Sequence, residues 1–99
     1  MHLSEKQRRY LRGLAHGLKP VILVGGAGLT EAVAKETDRA LHDHELIKVR
    51  ARGADRETRD TIFTELARQT GSAVVHRIGH VAVLYRPRPD VPKIIVPDT

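Results

Sequence analysis

Apolar positions along the 99-residue chain recur with two periods, one typical of helices and one typical of strands. Three segments show helical spacing, and they cover residues 4–16, 30–43 and 55–70. Four shorter segments, rich in β-branched residues, show the strand pattern, and they cover residues 21–24, 46–52, 73–78 and 81–85. This order predicts one compact α/β domain of the form αβαβαββ, in which helices pack on a four-stranded mixed sheet.

The ends of these segments carry the expected boundary residues. Ser4 with Gln7 three positions later is a capping-box signature for the first helix. Thr30 and Asp55 are suitable N-caps for the second and third helices, and Gly71 is a suitable stop for the third. The last two strands are separated by Gly79 and one further residue, which predicts an antiparallel hairpin.

A glycine loop follows the first strand. Residues 21–24 form a continuous apolar run, which predicts a central strand that is covered on both faces. Gly25, Gly26 and Gly28 then remove three side chains in four positions, with Ala27 between them, so another molecule can approach the backbone closely. Because Thr30 starts a helix directly afterwards, the loop should present unpaired amide groups at a helix N-terminus.

Two chemical interpretations of this loop remain open. It suits a bound phosphate group, but a tight strand-to-helix turn with no ligand is the commoner use of such a loop. The dinucleotide-binding fingerprint fails because Glu31 stands where a third glycine is needed, and the nucleoside-triphosphate P-loop fails because no Lys-Ser or Lys-Thr follows the glycines. What remains is a G-x-x-G motif from Gly25 to Gly28, a kind that can clamp a nucleic-acid backbone.

The charge balance favours a polyanionic partner. Seventeen Lys and Arg residues against twelve Asp and Glu give a net charge of +5 and a pI near 10.1. Basic residues are concentrated on the first helix, just before the first strand, and on one face of the second strand, which is either a binding face or a sheet face open to water. The candidate cations are Arg8, Arg12, Lys19, Lys48 and Arg50.

Several classes of protein are disfavoured by what the sequence lacks. It has no cysteine, which excludes disulfides and thiolate metal sites, and His42 and His44 are two apart and would diverge on a helix. No apolar run approaches the ~18 residues that a membrane span needs. We therefore expect a soluble cytoplasmic protein without metal or cofactor. Four prolines after residue 86 predict an extended tail over 88–99, outside a domain that covers 1–87.

Short motifs along most of the chain, from Leu3 to Pro87, together resemble one family. The motifs are LKP at 18–20, VGGAGLTE at 24–31, HELIKV at 44–49, DRET at 55–58, TG at 70–71 and VLYR at 83–86. In this combination the sequence resembles the YhbY proteins, the bacterial single-domain form of the CRM (chloroplast RNA splicing and ribosome maturation) domain.

The resemblance implies a function and a site. It implies an RNA-binding domain that associates with precursors of the large ribosomal subunit, and a fold like the C-terminal domain of translation initiation factor three. It also implies that Gly25 and Gly28 take the loop glycine positions, with Gly26 and Ala27 as the variable pair. RNA would then be contacted by loop amides and adjacent cations, by a protein that acts as a monomer and is not an enzyme.

Other functions compete with this interpretation. The same loop could serve an enzyme that acts on a phosphorylated small molecule or nucleotide, although no nucleophile and base pair accompanies it. A protein-binding module or a sequence-specific DNA binder is a third class. Only Tyr10, Phe63 and Tyr85 are aromatic, and we expect Tyr10 and Phe63 to be buried. With few rings for base stacking, RNA recognition should depend on shape more than on sequence.

Overall fold

The computed structural model describes residues 1–98; Thr99, the last residue of the predicted tail, lies outside the described residues. The elements are α1 (Glu5–Ala15), β1 (Pro20–Val24), α2 (Glu31–His44), β2 (Leu46–Ala51), α3 (Arg56–Thr70), β3 (Ala73–Ile78) and β4 (Val81–Tyr85). The strands form one mixed sheet in the order β1-β2-β4-β3, with β1 and β2 parallel and the other pairs antiparallel. The predicted α/β class and the αβαβαββ order are confirmed.

The predicted helix boundaries are confirmed by their hydrogen bonds. The Ser4 hydroxyl accepts from the Gln7 amide while the Gln7 side chain accepts from the Ser4 amide, which is a complete capping box. The Thr30 and Asp55 side chains cap α2 and α3 by accepting from the amides of Val33 and Thr58. Gly71 ends α3 with φ of 65°, a conformation that glycine adopts without strain.

The sheet separates two apolar cores. On one face, α2 and α3 bury side chains that include Leu41 and Phe63 against Ile47 and Val49 of the sheet. On the other face, α1 is the only helix, and its buried Leu11 lies in a second cluster against which Ile94 and Val96 of the tail also pack. Because a single eleven-residue helix covers this second face, part of the face stays open.

The predicted central position of the first strand is wrong. β1 lies at the edge of the sheet, and only its face toward α2 and α3 is covered. Ile22 and Val24 are buried there, whereas Val21 and Leu23 are each 51% exposed. A continuous apolar run is compatible with burial on both faces of a strand. It cannot show that α1, the helix on the second face, does not reach β1.

The expected burial of Tyr10 is also wrong. Its side chain is 41% exposed because the buried strip of α1 is narrow and consists of Leu11 and Ala15. Phe63 is buried as expected, and Tyr85 is buried too. Burial, followed by the negative charge of Glu45, raises the pKa of the Tyr85 hydroxyl.

The tail packs along the body without forming a strand in its described part. The buried carboxylate of Glu45 accepts 2.7 Å hydrogen bonds from the backbone amides of Arg88 and Ile94. Ile94 packs against the core under α1, and the Gln7 side-chain amide donates to the carbonyl oxygen of Pro97. Over residues 1–98, no helix has the length and apolar character needed to cross a bilayer.

Candidate nucleic-acid interface

The open part of the sheet lies on the same face as α1. Residues that pair across strands point to the same face, so the registers define two rows of side chains there. The inner row, nearer to α1, runs across the four strands through Pro20, Lys48, Val83 and His76. The outer row runs through Leu23, Arg50, Val81 and Ile78, and it is open to solvent, with Ile78 68% exposed.

One flank of α1 forms a wall beside these rows. The wall and the rows enclose a groove of about 750 Å³, which we call the basic groove. Its cationic side chains come from the helix and from β2, and they are Arg9, Arg12, Lys48 and Arg50. The imidazoles of His16 and His76 also line it, and Lys48 Nζ lies 3.5 Å from the carbonyl oxygen of His16.

Some basic residues of the domain are neutralised by carboxylates. Lys35, Arg68, Arg77 and Arg86 form ion pairs, for example Arg86 with Asp38 at 2.6 Å and Arg77 with Asp60 at 3.4 Å. Within residues 1–98 none of the four groove cations forms an ion pair. The groove lining contains no carboxylate either. The groove therefore brings four cations together without an acidic neighbour.

The glycine loop lies at the end of the sheet where the outer row runs. Leu23 is two residues before Gly25, which is about 7 Å along a strand. The Arg52 amide donates to the carbonyl oxygen of Val24, so β2 ends beside the loop. The Ala51 amide donates to the carbonyl oxygen of His80, which places the β3–β4 turn at this end as well. The loop therefore adjoins the open end of the basic groove.

The loop itself is a tight turn with exposed backbone. The Gly28 amide donates to the carbonyl oxygen of Gly25 at 3.0 Å, and Gly28 has φ of 73°, so only this glycine is needed for the backbone conformation. A Cβ added at Gly25 or Gly26 would meet no atom within 4 Å. Neither backbone conformation nor internal packing therefore requires glycine at those two positions.

The electrostatics of the loop depend on its amides and on β2. Within residues 1–98 the amides of Gly25, Gly26 and Ala27 make no hydrogen bond. The helix N-terminus that follows is less attractive to an anion than it would otherwise be, because the carboxylate of Glu31 lies in the first turn. Positive charge near the loop is instead supplied by the β2 end, where Arg50 and Arg52 are exposed.

The structure brings some of the predicted cations together and separates others. Arg12, Lys48 and Arg50 share the basic groove. The guanidinium of Arg8 instead donates to the carbonyl oxygens of Val74 at 2.6 Å and Val75 at 3.4 Å. Arg8 thus ties α1 to the edge strand β3.

Lys19 lies away from the loop. It immediately precedes β1, whereas the loop follows that strand, so about 17 Å of extended chain separates them. Lys19 lines a different, mostly apolar groove with Leu14, Leu18 and Val21. For Lys19 and Arg8 alike, contact with RNA stays a prediction.

Sequence reasoning did not select two of the exposed arginines. Arg9 lies on the groove wall, next in sequence to Arg8, and the helical repeat alone does not say which flank of α1 faces the open sheet. Arg52 continues the alternation of Lys48 and Arg50 beyond the end of β2, and this alternation was the available signal.

The described residues offer no evident catalytic or metal constellation. Among residues 1–98 no three His, Asp or Glu side chains are grouped so that they could hold a metal ion. Hydrogen bonds from Arg68 and Gln69 lower the pKa of Glu65 to about 2, and those from Thr58 lower the pKa of Asp55. Both carboxylates are therefore ionised near neutral pH, which does not suit a general acid.

The chain is similar to a known family and to several known proteins. The model of the CRS1/YhbY (CRM) domain matches residues 3–86. A Haemophilus influenzae protein named RNA-binding protein is 55% identical over 86% of this chain and 86% of its own length. A Pseudomonas aeruginosa protein, named as a probable RNA-binding protein, is 44% identical over 90% of this chain and 86% of its own.

A solved structure is similar as well. The solution structure of a hypothetical protein from Staphylococcus aureus, described as a candidate RNA-binding protein, superposes with a TM-score of 0.84 and 34% sequence identity. The match covers 97% of this chain and all of the other. With the family model matched over nearly the whole chain, these comparisons show that the protein belongs to the CRS1/YhbY (CRM) domain family.

Proposed function

We propose that this protein binds RNA along a path that begins at the loop from Gly25 to Gly28 and continues through the basic groove. The observation that carries the proposal is a cluster of four cations in one groove. Arg9, Arg12, Lys48 and Arg50 line this groove together, its lining contains no carboxylate, and none of the four forms an ion pair among the described residues. Such a surface attracts a chain of phosphates and releases its counterions on binding.

The loop would contact the sugar-phosphate backbone. Glycine at 25 and 26 leaves the backbone bare in open space, so a phosphate can come within hydrogen-bond distance of the free amides. The variable pair, Gly26 and Ala27, has no side-chain donor, and therefore the contact would be made by backbone N–H groups. Relatives named as RNA-binding proteins support RNA as the polyanion.

The specific partner that we propose is ribosomal RNA in precursors of the large ribosomal subunit, which is what the family resemblance implies. In this role the protein would act in the cytoplasm as a monomer and assist assembly by binding, without catalysing a reaction. The domain of residues 1–87 would carry the RNA contacts. Residues 88–98 would support the fold through Glu45 and Gln7.

Charge reversal tests the proposal. We suggest the double variant Arg12→Glu and Arg50→Glu, because both side chains are exposed and line the groove. The matched control is Lys35→Glu and Arg39→Glu, which changes the net charge equally on the exposed surface of α2. Affinity for a large-subunit ribosomal RNA fragment is measured by fluorescence anisotropy at several salt concentrations, with duplex DNA and ATP as competitors.

We expect the groove variant to lose affinity by at least about tenfold. The slope of log affinity against log salt concentration should also become shallower, by the amount that corresponds to roughly one to two phosphate contacts. The control should remain within about threefold of the native protein, because non-specific attraction is screened. Equal losses in both variants would contradict a specific surface. Competition by ATP would favour the enzyme interpretation, and stronger competition by DNA would contradict RNA as the partner.

A further inference from the structure

The floor of the basic groove combines aliphatic side chains with the cations of β2. In the outer row, Leu23 is 51% exposed, Ile78 is 68% exposed, and Val81 is half-buried, with the guanidinium-bearing Arg50 between Leu23 and Val81. None of these aliphatic side chains is covered by the helix on this face. Ile78 and Val81 pair across β3 and β4 and both line the groove, so they offer an apolar contact surface beside its cations.

From this arrangement we propose that the outer row receives the bases of unpaired nucleotides, while the cations and the loop hold their phosphates. The inference rests on the proposed RNA-binding function and specifies which form of RNA the site accepts. A paired helix turns its phosphates and sugar edges outward and keeps its base faces stacked, so it would leave the aliphatic side chains uncovered. An unpaired nucleotide can place an apolar base face on Ile78 and Val81.

The groove has suitable size and chemistry for this role. Its volume of about 750 Å³ is within the range of cavities that enclose small ligands, so it can hold one or a few nucleotides. Arg50 lies in the row itself, where its planar guanidinium can stack on a base or pair with a phosphate. Apart from the two imidazoles, no aromatic ring is among its lining residues. Contact with aliphatic side chains should accept any base and discriminate little between sequences.

The test compares two RNAs with two variants. The probes are a single-stranded decamer of mixed sequence and a fully paired hairpin with a short, stable loop, both labelled for anisotropy. The groove variant is Ile78→Ser, whose side chain is exposed and therefore not needed for the core. The matched control is Ile95→Ser in the tail, at 75% exposure. Circular dichroism and thermal unfolding confirm that both variants fold like the native protein.

We expect the native protein to bind the single strand more tightly than the hairpin. Ile78→Ser should weaken single-strand binding by about threefold to tenfold and leave hairpin binding unchanged, since the lost contact is with a base face. Ile95→Ser should alter neither. The proposal is overturned if the hairpin binds as tightly as the single strand, or if Ile78→Ser affects both RNAs equally or neither.

The outcomes also separate this inference from the function on which it rests. If charge reversal at Arg12 and Arg50 abolishes RNA binding while Ile78→Ser has no effect, the groove binds RNA but does not receive bases. If charge reversal has no effect on either RNA, both proposals fail.

Discussion

The carboxylate of Glu45 and the backbone amide of Ile94 are joined by a 2.7 Å hydrogen bond across 49 residues of sequence. The other carboxylate oxygen accepts from the amide of Arg88, also at 2.7 Å. Glu45 is fully buried and has φ of 65°, which is unusual for a residue with a side chain. One buried acidic residue therefore holds the start of the tail against the domain.

The first prediction concerns this carboxylate. Glu45→Ala should leave two tail amides without their acceptors and reduce the free energy of unfolding by about 2–4 kcal/mol, since each bond is to a charged group. Hydrogen exchange at the Ile94 amide should accelerate more than exchange in β2. Glu36→Ala, on the exposed surface of α2, is the control and should leave both measurements unchanged. Retained protection of Ile94 in the Glu45 variant would contradict this assignment.

A second prediction separates two arginines that lie one helical turn apart. Arg8→Ala should lower the unfolding free energy by about 1 kcal/mol, because it removes the bonds to the Val74 and Val75 carbonyl oxygens. Arg12→Ala should change stability by less than about 0.5 kcal/mol, as its side chain is exposed.

RNA binding should show the opposite order for these two variants. Arg12→Ala should weaken RNA binding several-fold. It should also reduce the slope of log affinity against log salt concentration by the equivalent of about one phosphate contact. Arg8→Ala should have the smaller effect on affinity. Urea titration and anisotropy on the same preparations provide the comparison, and a larger RNA defect in the Arg8 variant would show that the groove has been assigned to the wrong arginines.

Two glycines of the loop should respond differently to alanine. Gly28→Ala must adopt φ of 73° and should cost about 1–2 kcal/mol of stability. Gly25→Ala adopts an ordinary φ in open space, so the fold should tolerate it, yet its methyl group would obstruct an approaching phosphate. We therefore expect normal unfolding and reduced RNA affinity for Gly25→Ala. Unchanged affinity in that variant would remove the loop from the interface.

The pH dependence of stability offers a fourth prediction. Hydrogen bonds from Thr58 lower the pKa of Asp55 in the folded state below the ordinary value of 3.8. The stabilisation is therefore complete above pH 3.8 and is lost as the pH falls through the folded-state pKa. Asp55→Ser keeps an N-cap that does not titrate, so its unfolding midpoint should fall less on acidification. Identical pH profiles for the two proteins would show that Asp55 contributes nothing through its charge.

Short-range patterns in the sequence were sufficient to predict the helices and strands of the fold. Ser4, Thr30, Asp55 and Gly71 cap the helices through contacts within three or four residues, and such contacts are readable from sequence alone. The alternation over β2 likewise showed that Lys48 shares a face with Arg50. These predictions succeeded because each depends only on neighbours along the chain.

The rest depends on contacts between distant segments. The edge position of β1 is fixed by the strand order, and the exposure of Leu23 is fixed by where α1 ends on the sheet. The engagement of Arg8 with β3 and the burial of Glu45 beneath the tail join residues more than forty positions apart. The outer row spans all four strands, so it could not be seen before the registers were known.

The most direct test of the account is to map the RNA contact on the protein by NMR. Titrating a single-stranded RNA decamer into the native protein should shift the amide signals of the loop from Gly25 to Gly28, of β2 near Arg50, of the β3–β4 turn, and of α1 near Arg12. Signals from the outer surfaces of α2 and α3 should stay in place. Shifts confined to α2 and α3, with the loop and the outer row unaffected, would contradict the account.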